Sequence, residues 1–130
     1  MPRVRRVQHV SVGIAKGSEA DARHFYTVAL GLTEKPRPLG LKANPVIWFD
    51  AGDDEHEVHL LSTEGYVAPA GNHLCLEVDD LAAMRAHLTH HHIPITDVAP
   101  IDTRPRFMIT DPSGNTIELT QIHGPYTPVD

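Results

Sequence analysis

Apolar and polar residues alternate where the chain opens. Over residues 7–14, Val10, Val12 and Ile14 fall on one side, and His9, Ser11 and Gly13 on the other, the pattern of a half-buried strand. The period then changes. Ser18 is placed to cap a helix with Asp21 as its acidic partner, Ala22, Phe25, Val28 and Ala29 or Leu30 supply a buried stripe, and Gly31 supplies the stop. Short strands are expected at residues 32–34, 46–50 and 57–61, with Pro36 and Pro38 ending the first.

The pattern restarts at residue 73. Leu74, Leu76 and Val78 alternate with His73 and Cys75; Asp79 or Asp80 caps a helix over residues 81–91, with Leu81, Met84 and Leu88 buried; a short strand follows at 95–98. The unit closes on a hairpin. Asp111-Pro112-Ser113-Gly114-Asn115 is strong turn chemistry, because proline presets φ and glycine and asparagine tolerate positive φ. If Thr110 pairs with Thr116, Met108 faces Glu118 and Arg106 faces Thr120. The order strand–helix–strand–strand–strand thus occurs twice, with modules at 4–64 and 72–123 and a proline-rich tail at 124–130, loose or draped on the surface.

Matching positions in the repeats carry chemistry. His9 and His73, 64 positions apart, begin equivalent strands; His59 and Glu118, 59 apart, lie in equivalent last strands. Val58 and Leu60 mirror Ile117 and Leu119 as the helix-facing positions, so all four polar residues point away from the helices. A carboxylate in mid-strand is either on a solvated face or a ligand in a cavity. Three imidazoles and one carboxylate suit a divalent ion and leave positions open for substrate.

Composition narrows the classes. A chain of 130 residues with net charge −6 fits one domain or two small fused halves, and does not suit a nucleic-acid surface. No apolar run approaches a membrane span, and the expectation is a protein without a secretory signal whose single cysteine, Cys75, fits a reducing cytoplasm. Ten histidines are many for this length and hint at metal.

Four segments carry a family resemblance: Gln8-His9-Val10-Ser11-Val12; Phe25-Tyr26-Thr27-Val28-Ala29-Leu30-Gly31-Leu32; Asn72-His73-Leu74-Cys75-Leu76-Glu77-Val78; and Asp111-Pro112-Ser113-Gly114-Asn115-Thr116-Ile117-Glu118-Leu119. They span nearly the whole chain, which resembles the vicinal oxygen chelate superfamily of glyoxalases, bleomycin-resistance proteins, fosfomycin-modifying enzymes and extradiol dioxygenases. The resemblance implies an α+β fold, two βαβββ modules forming a curved mixed sheet around one metal. It places the ligands at His9, His59, His73 and Glu118. Glyoxalase I typically has glutamate where this chain has His59. The metal would be zinc, nickel, cobalt, iron or manganese. The implied activity is a lyase or isomerase of glyoxalase type, in which Glu118 stays a ligand or shuttles a proton. The alternatives are an Fe(II) extradiol-type dioxygenase, thiol transfer to an epoxide antibiotic, and a metal-free antibiotic-binding protein. A small-molecule substrate and a homodimer are further expectations.

Other residues divide between site and scaffold. Arg106 shares Glu118's side and either pairs with a carboxylate or meets an anionic substrate; Met108 lies beside it. Trp48 faces His59 if Asp50 pairs with Glu57, and walls the pocket or packs the core. Cys75 shares His73's side but reads as a small buried residue. His56 reads as a loop residue, and His24 and His123 carry no pattern. His87 and His91 have helical i, i+4 spacing, yet with His90 and His92 they sit at a helix C-terminus, where histidine suits the dipole. The loops at 36–45 and 62–71, on which substrate choice would depend, have no recognisable pattern.

Overall fold

The computed structural model describes residues 1–41 and 46–130. The chain divides into two compact units, Met1–Ala68 and Pro69–Asp130. Part of the loop at 36–45 therefore lies outside the described residues; residues 39–41 of it form a single 3-10 turn.

The first unit holds strands β1 (His9–Ala15), β2 (Thr33–Lys35), β3 (Val46–Asp50) and β4 (Glu57–Thr63), with helix α1 (Glu19–His24) after β1. The strand order is β1-β4-β3-β2, with β1 and β4 parallel and the other pairs antiparallel. One sheet face is apolar: Ile14, Ile47, Phe49, Val58 and Leu60 are buried on it together with Ala22, Phe25 and Tyr26 from the helical segment. The Tyr26 and Phe49 rings stack at 5.7 Å, which fixes where the segment lies on the sheet.

The helical segment differs from expectation in two ways. Ser18 occupies the N-cap position, but its hydroxyl donates to the Ala15 carbonyl instead of capping the helix. After α1 the segment widens into a π-helical turn, Phe25–Ala29, closed by Leu30 N–H to the Phe25 carbonyl at 3.1 Å. The wider turn shifts the side-chain phase. Tyr26 therefore turns fully inward, and Val28, expected to be buried, is 38% exposed. Gly31 ends the segment with φ 72°, as its position suggested.

The second unit repeats the plan with β5 (His73–Glu77), α2 (Leu81–His90), β6 (Thr96–Asp97), β7 (Arg106–Thr110) and β8 (Thr116–Thr120), in the order β5-β8-β7-β6. Asp80 caps α2 by accepting the Ala83 N–H at 2.9 Å. Phe107, Ile109, Ile117 and Leu119 are buried, as are Leu81 and Leu88 of α2, and the Arg85 guanidinium lies over the Phe107 ring at 4.9 Å. The repeat holds to the register: Ser11 pairs with His59 in the first unit, and Cys75 with Glu118 in the second. The expected hairpin register is present in full, Thr110 opposite Thr116, Met108 opposite Glu118 and Arg106 opposite Thr120. The tail is pinned locally: the Thr103 hydroxyl lies 2.9 and 2.8 Å from the Gly124 and Pro125 carbonyls, and Arg104 lies over the Tyr126 ring.

Candidate metal and substrate site

Strand alternation gives each unit one polar sheet face. In the first unit it carries His9, Ser11, Trp48, Asp50, Glu57 and His59. Because Asp50 pairs with Glu57 and Trp48 with His59, these residues form two cross-strand rows. The aromatic rings stack in series, Trp48 on His59 at 3.9 Å and His59 on His9 at 4.2 Å. His59 is only 5% exposed, and its Nε2 lies 2.9 Å from the Glu57 carboxylate.

Glu57 was not singled out by the sequence, yet it is the charged centre of this face. It is buried, and Lys35 donates to it at 2.9 Å while also reaching Asp50 at 2.9 Å. Burial by itself raises the Glu57 carboxyl. Hydrogen bonds from Lys35, His59 and Gln8, with the Lys35 charge, outweigh burial and hold it down at about 2. The same bonds, that to Glu57 foremost, raise the Lys35 ammonium. The only sequence signal was Glu57's place on the face of His59, at a strand end where a solvated charge is the ordinary reading. Linkage gives a sign. A depressed carboxyl contributes stability that is complete above its unfolded value, 4.5, and is lost as pH falls toward about 2. In urea titrations, Glu57→Gln is expected to flatten the loss of stability across that window.

Two histidines share one hydrogen-bonding logic. Gln8 donates its side-chain amide to the Glu55 carbonyl at 2.8 Å, so its amide oxygen faces His9 Nδ1 at 2.7 Å. His9 Nδ1 must then be the donor, and Nε2 is left as the lone-pair nitrogen. His73 Nδ1 lies 3.3 Å from the Gly71 carbonyl, again an acceptor. Its Nε2 is 3.0 Å from Glu118 Oε1. Both nitrogens of the His73 ring thus face oxygen acceptors. A neutral ring has one N–H and donates to one of them only, and the Glu118 contact is the shorter. In His9 the tether through Nδ1, with Nε2 left for another partner, is the arrangement of a metal-ligating histidine.

Glu118 is 7% exposed. Arg106 lies 3.4 Å from the same Oε1 that meets His73, and also donates to the Ala99 carbonyl from Nε at 3.2 Å and Nη2 at 3.0 Å. Arg106 therefore pairs with a protein carboxylate. Met108 lies opposite Glu118 in the ladder. Cys75, expected to be buried, is an exposed residue; its side chain alternates to the polar face, where fewer atoms cover it. Partial desolvation, with the charge and hydrogen bond of Glu118, pushes its thiol up to about 11 despite Arg106.

Of the four expected ligands, the structure brings His9 and His59 into ring contact in the first unit, and His73 and Glu118 into hydrogen-bond contact in the second. Among the described residues, no three histidine, cysteine, aspartate or glutamate side chains converge closely enough to hold a metal ion. The donor chemistry suits a borderline divalent cation. The placement fits in part: His73 and Glu118 are adjacent, and His9 has its lone pair turned away from its tether.

Each unit has the order strand–helix–strand–strand–strand, with a histidine in its first strand and a histidine or carboxylate in its last. A sequence profile of the Glyoxalase/Bleomycin resistance protein/Dioxygenase superfamily matches residues 6–119, and the chain belongs to that superfamily. Among solved structures, a protein from Bacillus anthracis assigned to the glyoxalase family is 26% identical, with TM-score 0.85 over 94% of this chain and 98% of that one. TnmS3, an antibiotic binding protein from Streptomyces sp. CB03234, is 21% identical with TM-score 0.76, over 94% and 99%. A lactoylglutathione lyase from Agrobacterium tumefaciens is 20% identical with TM-score 0.61, over 86% and 91%. The latter two likenesses concern the fold alone. No curated protein matches the chain in sequence. Among the described residues no helix is long and apolar enough to cross a membrane.

Proposed function

We propose that the chain is a divalent-metal-dependent lyase or isomerase of glyoxalase type, acting on a small substrate with vicinal oxygens. The supporting observation is His73, whose Nε2 lies 3.0 Å from the nearly buried Glu118 carboxylate. His73 and Glu118 would anchor the ion; His9 and His59 are the donors that the resemblance assigns to the first unit. When bound, the ion supplies a Lewis acid that polarises the substrate carbonyl and stabilises developing negative charge. The protein residues do the remaining work. Glu118 would remain a ligand or take a proton α to the carbonyl and return it. Arg106, which reaches the same carboxylate oxygen as His73, helps to hold Glu118 and offsets its charge. Trp48, stacked on His59, offers a flat apolar wall on which a substrate is oriented.

A metal-free binding role for the same face is the second reading. The Arg106–Glu118 ion pair favours it, since a guanidinium already satisfies the carboxylate. Turnover assays separate the two. Chelator-stripped protein, with and without restored Zn, Ni, Co, Fe or Mn, is offered thiol hemithioacetals, catechols and epoxides. The proposal expects hemithioacetal turnover that vanishes on stripping and returns with metal. Oxygen uptake with a catechol and iron would replace it by the dioxygenase reading, and ligand binding without turnover under any metal would replace it by the binding reading.

A further inference from the structure

The C-terminal turn of α2 carries imidazoles that the proposed reaction does not use. His87 and His91 are one turn apart and exposed, and their ring centres are 4.6 Å apart at an interplanar angle of 62°. Two imidazoles bound at about 2.1 Å to one ion hold their ring centres roughly 4.5 to 5 Å apart. The rings therefore already stand at chelating separation.

Three features keep them there. His91 N–H donates to the His87 carbonyl at 3.1 Å, so the turn that sets the spacing is closed. The helix end is then locked: His92 adopts φ 58°, and Ile93 N–H returns to the Leu88 carbonyl at 3.0 Å. Leu88, between the two histidines in sequence, is fully buried and ties the turn to the unit's core. Electrostatics act in the same direction. A helix C-terminus presents partial negative charge from its unsatisfied carbonyls, and the chain carries net charge −6.

We infer that His87 and His91 form a two-imidazole clamp for a divalent transition-metal ion on the surface of the second unit. Two nitrogen donors with open positions select Cu(II), then Ni(II), ahead of Zn(II). Since no group of three or more metal-binding side chains is present among the described residues, the remaining positions are filled by solvent or by a donor from another molecule. The clamp stands independently of the proposed reaction.

The test is a Cu(II) titration of chelator-stripped protein, followed by electron paramagnetic resonance and by competition with a chromophoric chelator. It is run in wild type and in a His73→Ala background, so that an ion held at the His73 site is not counted. In that background one equivalent is expected to remain, with nitrogen splitting from two imidazoles. His87→Ala and His91→Ala should each weaken it at least about tenfold, the minimum for loss of a direct ligand. Both positions are exposed and alanine favours helix, so the variants keep their fold, which circular dichroism verifies. His92→Asn, which tolerates the left-handed backbone, should change affinity by less than about threefold. Absence of the equivalent from the His73→Ala background, or its persistence at wild-type affinity in His87→Ala and His91→Ala, overturns the clamp.

Discussion

Glu118→Gln is expected to lower kcat/KM for the restored, metal-loaded protein by more than about 100-fold, because loss of an outer-shell partner alone costs 10- to 100-fold and Glu118 is proposed as a direct ligand and base. The effect should fall on kcat, since glutamine matches the shape of glutamate but neither carries its charge nor accepts a proton at neutral pH. The variant is expected to fold. Glu118 lies in the middle of β8, whose backbone pairs with β5 and β7 irrespective of the side chain, and Arg106 keeps its two bonds to the Ala99 carbonyl. Steady-state kinetics beside a thermal melt check both parts. Wild-type kcat with a changed KM would reduce Glu118 to a substrate-facing residue.

Asp111→Ala is expected to destabilise the second unit by about 3 kcal/mol or more, since each hydrogen bond to a charged acceptor contributes about 1.5–3 kcal/mol and the Asn115 donors left behind are buried. Asp111 is 4% exposed; its carboxylate accepts from the Ser113 N–H, the Asn115 N–H and the Asn115 side-chain amide, each at 2.9 Å. The backbone closes the same turn, with Asp111 N–H donating to the Asn115 carbonyl and Gly114, at φ 87°, donating back. Asp111→Asn should lose roughly half as much, because its amide oxygen still accepts while its NH2 opposes the Asn115 amide. Urea unfolding followed by circular dichroism reads both variants. The effect reaches the site, because this turn sets the register that puts Met108 opposite Glu118 and Arg106 two residues away.

That turn also shows what was legible in the chain. Asp-Pro-Ser-Gly-Asn allows few backbone conformations, so the hairpin and every cross-strand pair in it followed from local chemistry. The pairing of Trp48 with His59 followed in the same way from the position of the turn after Asp50. Alternation with period two was enough to separate His9, His73, His59 and Glu118 from the core. The helical segment was less legible. The π-turn at Phe25 depends on how Tyr26 and Phe49 pack, and no periodicity template contains it. Ser18 met a nearer acceptor in Ala15. The Lys35–Glu57–His59 network was hidden because its members come from three separated segments, and charged residues at strand ends are ordinarily solvated. Cys75 was assigned to the interior by its residue type, and strand phase placed it on the polar face. His87 and His91 were legible as spacing, and the 4.6 Å separation of their rings on which the proposed clamp rests was visible only in the folded helix.

The most direct measurement of the central claim is a calorimetric titration of Zn(II), Ni(II) or Co(II) into stripped protein lacking the surface clamp, the His87→Ala/His91→Ala double variant. Binding of one equivalent per chain, abolished when His73→Ala is added, is the result expected if His73 and Glu118 anchor the ion. No binding, or binding unchanged by His73→Ala, would contradict it.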